Sequence, residues 1–361
     1  MPIKTAEEGR RTRAAAALEE PGLDALLVTN LHNVRYLTGF TGSNGALLIL
    51  KDGSATLFTD PRYTVQAEQQ VNCSVRIAKG TLTKSILREM ARNKLRQMGF
   101  EQENLTVSQM GTLEKDLPAR TRLAPTAGLI ERLRMVKDAA ELEKIRASVI
   151  SNSGALEAAL ERFKPDMRES ELAAEIDYQN RRLGAEAPAF DTIVAAGKHA
   201  ALPHAHPGSS PITPGILLID MGAFRDGYAS DMTRTLHVGA GPQRYKKAYR
   251  AVLEAQLAAI DAVKPGTTTS AVDRVARMTL KRHGLEREFI HSTGHGLGLE
   301  IHEMPRIGRR DKMKLEAGMA ITIEPGVYKE GWGGIRIEDT VLVTAHGCDV
   351  VTPTPKDLRE I

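Results

Sequence analysis

Two stretches of this chain are apolar enough to be buried strands, yet each is cut twice by a carboxylate. Residues 216–239 read ILLIDMGAFRDGYASDMTRTLHVG and residues 319–343 read MAITIEPGVYKEGWGGIRIEDTVLV. Both have the form of a hairpin, the first turning at Arg225-Asp226-Gly227 and the second through a glycine-rich turn at Gly331. Folding them as buried hairpins withdraws four acids from bulk water, which is costly unless each acid finds a partner. In a regular first hairpin, Asp220 and Asp231 are cross-strand partners with Cβ atoms about 5 Å apart, a destabilising arrangement for like charges. Glu324 and Glu338 lie equally far from Gly331 and repeat the feature. In IRIEDTV, alternation puts Ile335 and Ile337 on one face and Arg336, Glu338 and Thr340 on the other. Arg336 therefore shares the carboxylate face, where a guanidinium can orient a ligand carboxylate.

The hairpins belong to a repeated plan. Helical periodicity covers 138–162 and about 168–183 before the first hairpin, and about 243–263 and 269–283 before the second. Asp138 with Glu141 has the capping-box pattern at the start of the first of these helices. Helix, helix, acid-bearing hairpin, twice over, reads as an internal duplication of architecture. Ahead of it, residues 1–130 alternate between helix-like and strand-like segments. Residues 5–19 read as a helix, LDALLVTN as a strand, and NGALLILKDGSATLFTD as two strands joined at Lys51-Asp52-Gly53. RYTVQAEQQ and SILREMARNKLRQMG read as helices and NLTVSQM as a strand. The expectation is an α/β domain over 1–130 followed by an α+β domain over 131–361.

Bulk properties narrow the function. The chain is 42% hydrophobic and 26% charged, a globular composition. Its net charge of +4, from 49 basic and 45 acidic residues, is small and dispersed, so nucleic acid is not an expected partner. Cys73 and Cys348 are the only cysteines, too few for a disulfide framework or a thiolate metal site. The start has no apolar signal region, and the apolar runs are strand-length, so the reading is a cytosolic protein without membrane attachment.

Three of the ten histidines, His291, His295 and His302, lie in HSTGHGLGLEIHE, separated by Gly294, Gly296 and Gly298. The glycines do not form a dinucleotide fingerprint, and HEMPR is not the zincin motif, because Pro305 would break its helix. Carboxylates with an imidazole suit a hard divalent ion such as Mn²⁺, with Co²⁺ or Zn²⁺ possible. Four acids exceed the charge of one such ion. Two ions about 3.5–4 Å apart, sharing carboxylates and a hydroxide, fit better and imply hydrolysis of an acyl or phosphoryl bond.

The stretches D-M-G…S-D-M-T-R-T, H-S-T-G-H-G-L-G-L-E-I-H-E, T-I-E-P-G and R-I-E-D-T resemble the pita-bread metallopeptidases over residues of roughly 130 to 350. N-V-R-Y-L-T-G-F-T-G-S-N-G (33–45) and T-D-P-R-Y (59–63) resemble the amino-terminal domain of aminopeptidase P and prolidase. The resemblance implies metal ligation by Asp220, Asp231, His295, Glu324 and Glu338, with a water as nucleophile and Glu324 accepting its proton. It implies that His302 stabilises the tetrahedral intermediate and that His291 faces the proline side. His204, in FDTIVAAGKHAALPHAHP, takes the family's catalytic histidine position. His206 is read as a loop residue, and His32, His199, His237, His283 and His346 as structural or exposed. The implied substrates are proline-containing peptides, and the implied assembly is a homodimer or homotetramer. FTGSNG and TDPRY are closer to aminopeptidase P. A strict Xaa-Pro dipeptidase is the alternative, and a non-catalytic binding protein of the same fold a further one. No group that would receive a dipeptide's free carboxylate is evident in the sequence.

Overall fold

The computed structural model describes residues 5–361. The chain divides into two compact units, Met1–Arg134 and Met135–Ile361, where sequence reasoning placed the boundary near 130. Among the described residues no helix is long and apolar enough to cross a membrane.

The first unit is built on a six-stranded mixed sheet. Ala25–Val28 lies near its centre, antiparallel to Gly45–Leu50 and parallel to Gln97–Glu101. Gly45–Leu50 and Ala55–Thr59 form the Asp-Gly hairpin read from the sequence, with Gly53 at φ +84°. Three sequence assignments change here. NLTVSQM was read as a strand, but Val107–Lys115 is a helix: Thr106 and Gln109 cap each other's backbone N–H groups, and this local pairing outweighs the β-branched character of the segment. The helix read over 85–99 spans Leu82–Arg92 and ends at Asn93. Lys94 then turns the chain in the left-handed region, and Gln97–Glu101 joins the sheet between Ala25–Val28 and Arg122–Thr126. Leu31–Thr38, assigned to nothing in the sequence, is a helix capped by Asn30 and closed by Gly39.

In the second unit the helices are Ala139–Leu160, Glu169–Arg182, Gln243–Asp261 and Thr269–Arg282, and the Asp138–Glu141 capping box is present. The strand Gly215–Met221 is buried on both faces. Leu217 and Ile219 pack on Leu156, Leu172 and Ile176 of the first helix pair. Ile216 and Leu218 join the core formed by Val252, Val272, Leu280, Ile321 and Val341. Each such side chain contributes about 1.5–3 kcal/mol on leaving water, so this strand is firmly held before any ligand is considered.

The hairpin registers decide where the acids go. In the first, Asp226 and Gly227 both take positive φ and form the two-residue turn, with Arg225 opposite Tyr228. Asp220 is therefore opposite Thr233, not Asp231. The expected direct pairing is corrected: the turn centre lies one residue later than read, which moves the partner by two, and Asp231 becomes a diagonal neighbour. In the second hairpin Ile323 pairs with Asp339 and Gly326 with Arg336. Glu324 and Glu338 thus face each other in the intervening gap, in the register read from Gly331. Both hairpins break their ladders, the first beside Asp231 and the second at Glu324 and Glu338, while Asp220 stays inside the first ladder opposite Thr233. Gly215–Met221 with Met232–Val238 gives way to Ala223–Arg225 with Tyr228–Ala229, and Ala320–Ile323 with Asp339–Val343 gives way to Gly326–Lys329 with Gly333–Arg336. The outer arms enter other sheets.

Leu217→Ala removes a fully buried side chain from the strand that carries Asp220. It is expected to cost about 2–5 kcal/mol in urea unfolding.

Candidate metal centre

The breaks in the two ladders aim the acids at His295, the middle residue of the strand Gly294–Gly296. That strand lies close to its neighbours because it carries glycine: a Cβ at Gly294 would overlap the carbonyl oxygen of Thr322, and one at Gly296 the carbonyl of Met304. His295 Nε2 is 3.4 Å from Asp231 Oδ2 and 3.8 Å from Glu324 Oε1. Ligand atoms of Asp231, His295 and Glu338 lie within 4.8 Å of one another. Asp220 is tied to the same group through Arg336, whose Nη2 donates to Asp220 Oδ2 at 2.5 Å.

Three observations fit this set to cations. First, Nδ1 of His295 is 3.0 Å from the carbonyl oxygen of Gly296, which can only accept. The proton belongs on Nδ1, which leaves Nε2, the nitrogen facing the carboxylates, as the one that would ligate a cation. Second, Asp220 Oδ1 and Glu338 Oε1 are buried without a hydrogen-bond partner, a costly state for an acceptor unless a cation meets it. Third, burial and then mutual repulsion hold Asp231 and Glu338 well above the usual carboxylate range, and burial raises Glu324 as well. The neighbouring residue Asp339 shows what a structural buried acid looks like. It is fully buried, as Glu338 nearly is, but it accepts from Arg234 at 2.8 Å, Gln256 at 2.8 Å and Lys356 at 2.7 Å. Nothing is left open on Asp339, whereas Glu338 keeps one oxygen free toward Asp231.

Arg336 sits on the acid face, as alternation placed it. Besides Asp220 it donates Nε to Thr233 Oγ1 at 2.9 Å and Nη1 to the Tyr328 hydroxyl at 2.5 Å. Thr233 passes its own proton to Glu338 Oε2 at 2.7 Å. Arg336 thereby fixes an acid of the first hairpin directly and an acid of the second through one hydroxyl.

His302 packs edge-on to His295, with ring centroids 4.4 Å apart. Burial and then His295 lower its pKa, which favours the neutral ring. His204 is exposed on the loop after the short turn Gly197–Ala201, close enough for its charge to act on His291 and His302. His291 is held on both sides of its ring. Its Nδ1 is 2.8 Å from Ser292 O and its Nε2 3.0 Å from the Tyr328 hydroxyl. With both nitrogens engaged, and its pKa lowered to about 4 by burial and then Arg336, it offers a neutral ring wall rather than a free donor. His206 is exposed, His199 is bound to Glu169, and His283 pairs with Glu254 on the surface.

Sequence reasoning missed the groups that brace the site. Tyr328 shares the face of Arg336 through the register of Gly326–Lys329, and alternation could have found it. Asp273 and Arg277, at helical i, i+4 spacing, were readable as a pair. They are buried, 2.8 Å apart, and hold the histidine segment: Arg277 donates to the carbonyls of Phe289 and His291, and Thr293 donates to Asp273. Arg234 gave no signal in one dimension, since its partners Glu338 O, Asp339 and Thr354 O are distant in sequence.

Residues 143–345 match the profile described as Metallopeptidase family M24, and residues 10–136 that of the Creatinase/Prolidase N-terminal domain. The chain is 36% identical over 343 residues to a Xaa-Pro dipeptidase of Pyrococcus furiosus, spanning 94% of this chain and 97% of that one. Among solved structures it is similar to the Xaa-Pro dipeptidase from Bacillus anthracis, at 37% identity and a TM-score of 0.96, covering 98% of this chain and 100% of the other. It is also similar to the X-Pro aminopeptidase from Thermotoga maritima, at 34% identity and a TM-score of 0.89, covering 96% of this chain and 100% of the other.

Thr233→Val removes the hydroxyl between Arg336 and Glu338 and is expected to weaken Mn²⁺ binding about 10- to 100-fold, read by isothermal titration. The raised acids give a stability signature. The folded metal-free protein holds protons that the unfolded chain has already released, so their contribution to stability falls as pH rises above the ordinary carboxylate range. Glu338→Gln is therefore expected to raise the melting temperature of the chelated protein at pH 8, with the gain shrinking toward pH 5. The same variant loses stabilisation by added Mn²⁺.

Proposed function

Because the chain belongs to metallopeptidase family M24 and carries a creatinase/prolidase N-terminal domain, we propose that it hydrolyses the peptide bond between an amino-terminal residue and proline. The convergence of Asp220, Asp231, His295, Glu324 and Glu338 on one buried point carries this reading. Held by these residues, divalent ions would supply Lewis acidity and acidify a water toward neutral pH. We take Mn²⁺ as the resident ion, a homodimer or homotetramer as the assembly, and the cytosol as the location.

The remaining work falls to side chains. Glu324 stands between His295 and His291, 3.8 and 3.9 Å from their ring nitrogens, and takes the proton of the attacking water. That proton then goes to the proline nitrogen as the amide bond breaks. His302, neutral at working pH, donates to the carbonyl oxygen as charge builds there, and His204 closes the acyl side. Phe289 meets His291 edge-on and His291 meets Tyr328 at a tilt, with centroids 5.1 and 5.4 Å apart. They give an apolar wall to a pyrrolidine ring, which has no N–H to satisfy.

A cleft beside His291, with a volume of about 540 Å³, favours dipeptides. It is lined by Arg287, Arg306, Arg309 and Arg310, and Arg306 lies opposite His295 in the strand register. Glu286 and Asp311 line it too, so basic groups outnumber acidic ones there. A free proline carboxylate two bonds past the scissile nitrogen suits this charge. The Xaa-Pro dipeptidases among the relatives support the same reading, and the similarity to an X-Pro aminopeptidase keeps tripeptide cleavage as the second one.

Glu324→Gln is expected to abolish turnover of Ala-Pro while the protein stays folded by circular dichroism. Full activity in that variant would remove Glu324 from the chemistry. Arg306→Ala is expected to lower kcat/KM for Ala-Pro roughly 10- to 100-fold, the worth of a charge-assisted hydrogen bond, and to spare Ala-Pro-amide. Equal losses on both substrates would show that Arg306 does not read the carboxylate.

A further inference from the structure

His204 is carried by a loop whose two ends are tied to one buried carboxylate. Glu169 is the first residue of the helix Glu169–Arg182 and is 1% exposed. Its Oε1 accepts from the backbone N–H of Ala196 at 2.7 Å, and its Oε2 from the N–H of Gly208 at 3.0 Å. Between these two points the chain runs out through His204 and back. The carboxylate therefore ties the loop's two ends to one side chain. A third contact falls inside the loop, where His199 Nδ1 lies 2.9 Å from Oε2. The helix start adds backbone bonds to the same stretch, Ser170 N to Gly208 O and Glu169 N to Ser210 O. On its other side the loop rests on the strand leading to Arg336. A Cβ at Gly333 would lie 2.7 Å from Gly197 O, one at Gly334 would overlap Ala200 O, and Arg336 itself donates to Pro203 O at 3.3 Å.

We propose that Glu169 is a positioning residue for His204, fixing the loop 196–208 so that the imidazole stands at the acyl side of the cleft. Glu169 touches neither substrate nor any of the five acid and histidine ligands. An amide can replace only one of its two accepting oxygens, and a methyl group neither, so the loop loses one tie or both. The proposal rests on the reading of His204 given above, and the test separates the two. Deuterium exchange over residues 196–208 needs no substrate: Glu169→Gln is expected to speed it, and unchanged exchange would overturn the staple. In turnover of Ala-Pro, Glu169→Gln is expected to lower kcat about 10- to 100-fold, the scale of a misplacement of about 1 Å. KM and metal content should change little. In a His204→Ala background the same substitution should add nothing to kcat. An equal further loss there, or a loss that follows metal content or folded fraction, would overturn the positioning role. If His204→Ala alone leaves kcat intact, the reading of His204 fails, while the exchange experiment still decides the staple. Glu169→Asp, which keeps both oxygens on a shorter arm, should recover part of the exchange protection; no recovery would count against the carboxylate as the tie.

Discussion

Everything in the second unit is arranged around an imbalance of charge: four carboxylates, Asp220, Asp231, Glu324 and Glu338, share one buried place with a single guanidinium, Arg336. A folded chain tolerates that only if something outside its own covalent structure completes it, or if protons do so at a cost in working pH. The burial that makes the site expensive also makes it effective, because charges placed there are weakly screened. Arg336 does not neutralise the cluster. It aligns it, fixing Asp220 by direct contact and Glu338 through Thr233.

The fold manages the imbalance by separating structural charges from working ones. Asp339 with Arg234, and Asp273 with Arg277, are buried pairs whose remaining donors and acceptors are taken up by side chains such as Gln256, Lys356 and Thr293 and by backbone carbonyls. They stiffen the strand after Glu338 and the segment before His295. Glu338 sits one residue from Asp339, and Asp231, Glu324 and Glu338 lie at the points where the hairpins leave one sheet for another. A break in a ladder frees side chains from cross-strand partners and turns them inward. For Asp231, Glu324 and Glu338 the geometry is thus a property of interrupted pairing, while Asp220 is held inside a regular ladder opposite Thr233.

Much of this was legible in one dimension. The duplicated plan, the four acids and the face of Arg336 follow from periodicity and composition, while the choice of His295 among three histidines came from the family resemblance. What failed did so for local reasons. A one-residue error in placing the Asp226-Gly227 turn displaced the partner of Asp220 by two, since the register of a hairpin is set by its turn. NLTVSQM has strand composition, but the reciprocal cap of Thr106 and Gln109 decided its fate. The bracing groups Thr233, Arg234 and Glu169 were hidden for a different reason. Their roles lie in contacts with residues far away in sequence, and no spacing rule reports those.

The acids of the two hairpins are separated by roughly a hundred residues between Asp220 and Glu338, a long loop in the sense of closure entropy. A cation gripped by both is mechanically a removable cross-link between the two halves of the duplicated fold. Its presence shrinks the freedom of the opened chain as a disulfide would, in a protein with only two cysteines, both free. Removing that ion would then loosen the fold as well as strip the site.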